Sequence, residues 1–175
     1  FDGHRPYQQI PFQYSLHVLE SPEAELEQRE YLHRENSDPA RPLAKQLIED
    51  VDDTGSVLVW YEGFEKARNS ELGEMLPEFK DAMEALNGRV VDLMIPFKNK
   101  WYHDPRFNGS ASIKQVLPVM CPELSYKELG IQEGSSAQRL WMEAVLDNKR
   151  ADQKEQIFND LIEYCKLDTL AMVEI

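Results

Sequence analysis

Ser56 to Asn69 reads SVLVWYEGFEKARN, and the way its two halves join sets the fold class. The first half is a continuous apolar run, Ser56 to Tyr61, preceded by the breaker Asp52-Asp53-Thr54-Gly55. A strand covered on both faces shows no polar alternation, so this run predicts a buried strand. Gly63 ends it and opens a helix carrying Phe64, Glu65, Arg68 and Leu72. A second helical stretch runs from Pro77 to Leu86 and stops at Asn87-Gly88. Arg89 to Pro96, RVVDLMIP, then reads as a short strand. Strand, helix and strand alternate, which is the signature of an α/β domain.

Upstream, Phe12 to Leu19 is rich in β-formers, and Glu30 to Arg34 can pair with it across an acidic turn, Ser21 to Gln28. Asp38-Pro39 introduces a helix ending near Val51, with Asp38 as its candidate cap. Downstream, Ser112 to Met120, Ser135 to Asn148 and Asp152 to the end read as helices. Repeats and low-complexity segments are absent from the sequence. The chain opens at Phe1 and ends at Ile175 inside a helical pattern, so the expectation is one domain, residues 1–175, truncated at both ends.

Composition narrows the function classes. Asp and Glu number 32 against 19 Lys and Arg, a formal charge of -13. That charge opposes any general electrostatic grip on nucleic acid or an anionic membrane, so a phosphate-bearing partner must be held locally. Cys121 and Cys165 are too few for a disulfide framework, and the four His lack metal-ligand spacing. A reducing cytoplasm is the expected compartment. No apolar run approaches the roughly 20 residues that span a bilayer.

The last helix carries the chemistry. Ile157, Leu161, Cys165, Met172 and Ile175 recur at helical spacing, and Asp168 falls on the same stripe. An ionised carboxylate on a core face is costly unless it is paired, hydrogen-bonded or bound to metal. Tyr164 lies one turn before it. Glu65, in the first turn of the helix after the SVLVWY strand, is placed where ligands gather in α/β sheets. The tyrosine-to-acid spacing is weak evidence alone, because Tyr31 with Glu35 and Tyr61 with Glu65 repeat it. The order of the segments is the stronger signal.

RPYQQIPFQYSLH (5–17), LVWYEGFEK (58–66), VVDLMIPF (90–97), GSASIKQVLP (109–118) and LIEYCKLDTLAMV (161–173) carry a resemblance that covers nearly the whole chain. In this order they resemble the DnaQ-like 3′ to 5′ exonucleases of the ribonuclease H-like superfamily, in the subgroup whose last motif is Tyr-x3-Asp. The chain is more similar still to an uncharacterised bacterial domain family related to them. The resemblance implies a ribonuclease H-like mixed β-sheet flanked by helices, here without its first, central strand. It also implies four carboxylates holding two divalent ions, Mg²⁺ or Mn²⁺, with Glu65 and Asp168 as metal ligands and Tyr164 orienting the attacking water. The family's first motif, Asp-x-Glu, has no counterpart after Phe1. Glu65 stands where Asp is common, and Tyr61 where Asn often precedes it by one turn. The chain as it stands is therefore expected to be an incomplete site.

Phe97 to Lys114 interleaves Lys98, Lys100, Arg106 and Lys114 with Trp101, Tyr102, His103 and Phe107. Such a mixture suits single-stranded nucleic acid, through phosphate contact and base stacking. Lys98, Lys100, Trp101 and Arg106 are the candidate nucleic-acid-binding residues, and the expected partner is the 3′ end of single-stranded DNA or RNA, alongside other domains of a larger protein. Asp92, closing its strand, reads as a structural cap. The leading function is thus a metal-dependent 3′ to 5′ exonuclease. The competing readings are a non-catalytic binding or scaffold domain of a larger bacterial protein and a small-molecule phosphohydrolase on similar metals.

Overall fold

A computed structural model describes residues 1, 3–6, 8–147 and 149–175. Tyr7 of the RPYQQIPFQYSLH stretch and Asn148, the expected end of a helix, lie outside the described residues. Strands β1 (Gln13–Val18) and β2 (Glu27–Leu32) form an antiparallel pair, with Gln13 opposite Leu32 and Val18 opposite Glu27. Helix α1 (Ala40–Val51) follows. Strand β3 (Val57–Val59) pairs in parallel with β4 (Val90–Asp92), and between them run α2 (Glu62–Met75), a 3₁₀ turn at Pro77–Phe79 and α3 (Lys80–Gly88). Then come α4 (Ile95–Lys98), α5 (Ile113–Met120), α6 (Gly134–Val145) and α7 (Lys154–Glu174).

The architecture is mixed α/β, as the alternation predicts, but in place of one mixed sheet the strands make two separate pairs. Among the described residues no strand pairs with both. The SVLVWY run is a correction as well. Only three of its residues are strand, and Leu58, 49% exposed, and its register partner Val91, 46% exposed, leave one face of that pair open. Continuous hydrophobicity implied cover on both sides; only Val59 is buried. RVVDLMIP likewise supplies three strand residues before Ile95-Pro96 starts a helical turn. Strand β2 starts inside the stretch expected to be the turn.

Other signals act as expected. The Ala40 N–H donates to Asp38 Oδ1 at 2.9 Å, so Asp38 caps α1 from just ahead of Pro39. Asp52 (φ 56°) and Gly55 (φ 79°) take left-handed backbone and end that helix. Asn87 lies in the last turn of α3, which ends at Gly88, and its side-chain amide donates to the Lys66 carbonyl at 3.1 Å and accepts from the buried Asn69 amide at 2.9 Å, tying α3 to α2.

Three apolar clusters hold these pieces. One joins Ala40, Leu43 and Ala44 of α1 to Leu72 and Met83. A second joins Trp141, Ala144 and Val145 of α6 to Ile157, Phe158 and Leu161 of α7, and a third joins Leu117, Cys121 and Tyr126 to Ala171. Phe12 stacks on Trp141 with centroids 4.6 Å apart, and the Trp141 indole N–H donates to the His33 carbonyl at 2.7 Å, fixing the hairpin to α6. Among the described residues no helix is long and apolar enough to cross a membrane.

The Trp141 contact separates packing from hydrogen bonding in a direct test. Trp141→Ala is expected to lose about 3–5 kcal/mol of stability. Trp141→Phe keeps most of the stack but orphans the His33 carbonyl, and is expected to lose about 1–2 kcal/mol. Urea unfolding of the two variants checks the order.

Candidate carboxylate site

The site is built from two distant parts of the chain, α2 and α7. Helix α2 begins immediately after β3, and its first turn is held from outside itself. Asp92, at the end of β4, accepts hydrogen bonds from the N–H groups of Tyr61 (3.0 Å), Glu62 (3.1 Å) and Met94 (2.9 Å). It is thus the cap expected for the segment after it and also the cap of α2, across the sheet. A carboxylate on exposed helix N–H groups satisfies donors that have no partner within the helix. Tyr61 meets this cap in a left-handed conformation (φ 81°) that is uncommon for an aromatic residue. The result is that Glu65 leaves a fixed first turn.

Helix α7 supplies Asp168, half-buried on the stripe predicted for it. The Tyr126 hydroxyl donates to Asp168 Oδ1 at 2.6 Å. Tyr164, one turn earlier, packs against Tyr126 with centroids 6.1 Å apart. Burial pushes the Asp168 carboxyl above its ordinary value, against the opposing pull of Tyr126, Lys114 and Tyr164. Burial also raises Glu65, and the negative charge of Asp168 raises it further, with Arg68 partly offsetting both. The structure therefore brings Glu65, Asp168 and Tyr164 into one electrostatic neighbourhood.

The same field settles the protonation of the neighbours. Burial and Asp168 hold both Tyr126 and Tyr164 well above the usual phenol value, so both stay neutral and can donate hydrogen bonds. Burial, then Asp168 and Glu65, push the Cys165 thiol up to about 12. A thiol held that high is a poor nucleophile. On the other side of Cys165, Ser15 and Thr169 share a hydrogen bond of 3.0 Å and His17 Nδ1 lies 2.8 Å from the Thr169 hydroxyl, tying α7 to β1.

Two like-charged carboxylates, each biased toward its neutral form, are oxygen donors that a hard divalent cation favours. Among the described residues, however, no group of three or more His, Cys, Asp or Glu is arranged to hold a metal ion. Glu65 and Asp168 are two carboxylates, fewer than a two-ion site requires.

The basic loop divides. Trp60 packs on Phe97 at 5.3 Å, Phe97 on Phe107 at 5.9 Å, and Phe107 is buried, so part of the aromatic content is core. Trp101 is 73% exposed, and Lys98 and Lys100 are exposed beside it. Arg106 is turned back on Asp104 in a fork, Nε to Oδ1 at 2.9 Å and Nη2 to Oδ2 at 2.7 Å, which holds the Asp104 carboxyl down at about 2. The Trp60 indole N–H donates to the Ala111 carbonyl at 2.9 Å, linking the loop to the segment that starts α5. A groove of about 710 Å³ lies elsewhere, lined by Tyr31 to Glu35, Ser37, Asp38, Arg41, Pro42 and Leu76. Its polar groups satisfy one another: His33 bridges Tyr31 and Ser37, Asp38 pairs with His4, and Arg41 with Glu78. Glu65 and Asp168 instead are two acids in one field, both held above their ordinary values, and that pair is the candidate site.

Sequence reasoning missed Tyr126. It sits in a short 3₁₀ turn capped by Ser125, and no spacing relates it to Asp168. It also counted Lys114 with the loop, whereas its ammonium stands over the rings of Tyr126 (5.6 Å) and Tyr164 (5.5 Å) at the carboxylate site.

Comparison with known proteins supplies kinship without an activity. The chain is 26% identical over 190 residues to the Uncharacterized protein MG366 of Mycoplasma genitalium, an alignment covering 97% of this chain and 28% of that protein. It is 27% identical over 146 residues to the Uncharacterized protein MG366 homolog of Mycoplasma pneumoniae, covering 77% of this chain and 22% of that protein. The chain spans about a quarter of the length of these curated relatives. No solved structure matches it. Residues 1–112 match the family described as Domain of unknown function (DUF2779), and the chain belongs to that family.

Proposed function

We propose that this chain carries the greater part of a metal-dependent 3′ to 5′ exonuclease-like domain acting on single-stranded DNA or RNA. The observation behind this reading is that Glu65 and Asp168, far apart in sequence, lie in each other's field with Tyr126 and Tyr164 beside them. On this reading the two strand pairs are portions of one ribonuclease H-like sheet. Glu65 and Asp168 would hold Mg²⁺ or Mn²⁺, which when bound polarises a phosphate and lowers the pKa of a water. Tyr126 fixes the orientation of the Asp168 carboxylate. Tyr164, kept neutral, orients the water by hydrogen bonding and is no base itself. Lys98, Lys100 and Trp101 hold a strand by phosphate contact and stacking. Arg106 joins them only by releasing Asp104.

The second reading is a non-catalytic binding or scaffold module. It is favoured by the small number of metal donors at the site among the described residues. Mn²⁺-dependent shortening of 5′-labelled single-stranded DNA and RNA by the protein in its full natural context decides between them. Trimming from the 3′ end is expected. Asp168→Asn should abolish it, a loss beyond about 100-fold, and Tyr126→Phe should cost about 10-fold, the usual effect of removing a group that orients a ligand. Inertness on both substrates, or undiminished trimming by Asp168→Asn, would overturn the assignment. Trp101→Ala should weaken strand binding by about 1–3 kcal/mol; unaltered turnover would favour a small-molecule phosphohydrolase.

The raised carboxyl of Glu65 also has a stability signature. A carboxyl whose folded pKa lies above its unfolded one binds more protons in the native state, so stability falls as pH rises from the ordinary value of 4.5 through the raised one. Glu65→Gln removes that penalty. It is expected to melt higher than the parent at pH 7 without divalent ions, and the gap should close below about pH 4, where the ordinary glutamate is also protonated. A gap of equal size at both pH values would show that Glu65 ionises freely.

A further inference from the structure

Lys114 is a half-buried cation in a chain of net charge -13, and its partners are unusual. Some half-buried lysines and arginines face carboxylates, as Lys66 faces Glu62 at 2.6 Å and Arg68 faces Glu71 at 2.7 Å, while Arg89 donates to the backbone carbonyls of Asp52, Thr54 and Gly55. Lys114 donates to the Gln132 carbonyl at 2.6 Å and lies over the faces of Tyr126 and Tyr164. Among the described residues no carboxylate comes within ion-pair distance of it, although its charge acts on Asp168. An ammonium has three donors, so two remain beyond the one given to Gln132. Its place is fixed by α5, whose start is joined through Ala111 to Trp60 and thence to Phe97 at the base of the exposed Trp101 loop.

We propose that Lys114 is the phosphate anchor of this site, gripping the backbone of a single strand whose bases stack on the Trp101 loop and whose end lies at Glu65 and Asp168. The inference rests on the nuclease reading above and adds the residue that overcomes the repulsion between two carboxylates and a phosphate. A cation held over two neutral phenols keeps its charge for the ligand, because the rings attract it without neutralising it. The competing explanation is purely structural, with Lys114 satisfying Gln132 and easing the charge on Asp168.

The salt dependence of binding separates the two. A short 5′-fluorescein oligothymidylate is titrated by anisotropy in EDTA, across a range of salt, with the protein in its full natural context. A lost phosphate contact flattens the slope of log K against log salt by about 0.7 for single strands. Lys114→Gln is expected to weaken binding about tenfold, as for a hydrogen bond to a charged group, with that flatter slope; Lys114→Arg should retain both. Weaker binding with an unchanged slope, or unchanged binding, overturns the anchor while leaving the nucleic-acid reading intact. Absence of binding by the parent protein overturns both. Should Lys114→Gln fail to fold, the Nζ resonance of ¹⁵N-lysine-labelled parent protein, assigned through Lys114→Arg, must move on adding thymidine 5′-monophosphate; a stationary resonance overturns the anchor.

Discussion

The structure depends on one helix having to satisfy three neighbours at once. Helix α7 buries Ile157, Phe158 and Leu161 against α6, turns Ala171 toward α5 and Tyr126, and presents Thr169 and the Leu161 carbonyl to β1, where Gln13 donates to that carbonyl at 2.7 Å. A helix covered on several sides has little free surface. A polar side chain in its middle is then either paired or strained, and Asp168 is paired through Tyr126. The candidate site is thus tied to the packing: the carboxylate lies half-buried on α7 between the fully buried Leu161 and Ala171.

The second constraint is the cap shared between strand and helix. Asp92 gives its two oxygens to N–H groups on both sides of the β3–β4 pair. With only three residues in each of these strands, ladder hydrogen bonds alone fix little. The carboxylate sets the direction of α2, and through it the approach of Glu65 to Asp168. The same geometry has an electrostatic consequence: burial raises both acids toward the protonated form, and the charge of Asp168 raises Glu65 further. A cation near either acid opposes this, as Arg68 does at Glu65 and Lys114 at Asp168.

Much of this was legible in the residues. The strand-helix-strand order, the caps at Asp38 and Asp92, the breaker at Asp52–Gly55 and the anomalous acid on the last stripe all follow from local rules that act within a turn or two. Strand extent was not legible. SVLVWY and RVVDLMIP are more hydrophobic than their structure requires, because Leu58 and Val91 are exposed. Hydrophobicity reports what a segment could bury, whereas the neighbours available decide what it does bury. Arg106 illustrates the same limit at a candidate site: its sequence context suggested a free cation, and Asp104, two residues away, takes it.

The sequence by itself determined the fold class and the helix caps, and it marked Glu65, Tyr164 and Asp168 as candidates, because each is picked out by periodicity or by its distance from a break. Only the tertiary structure decided that Glu65 and Asp168 share a field, that Tyr126 orients the acid and that Lys114 stands over two tyrosines. Those relations join segments tens of residues apart. They depend on how α2, α5 and α7 pack, and packing is set by the summed burial of many side chains, which no local pattern encodes.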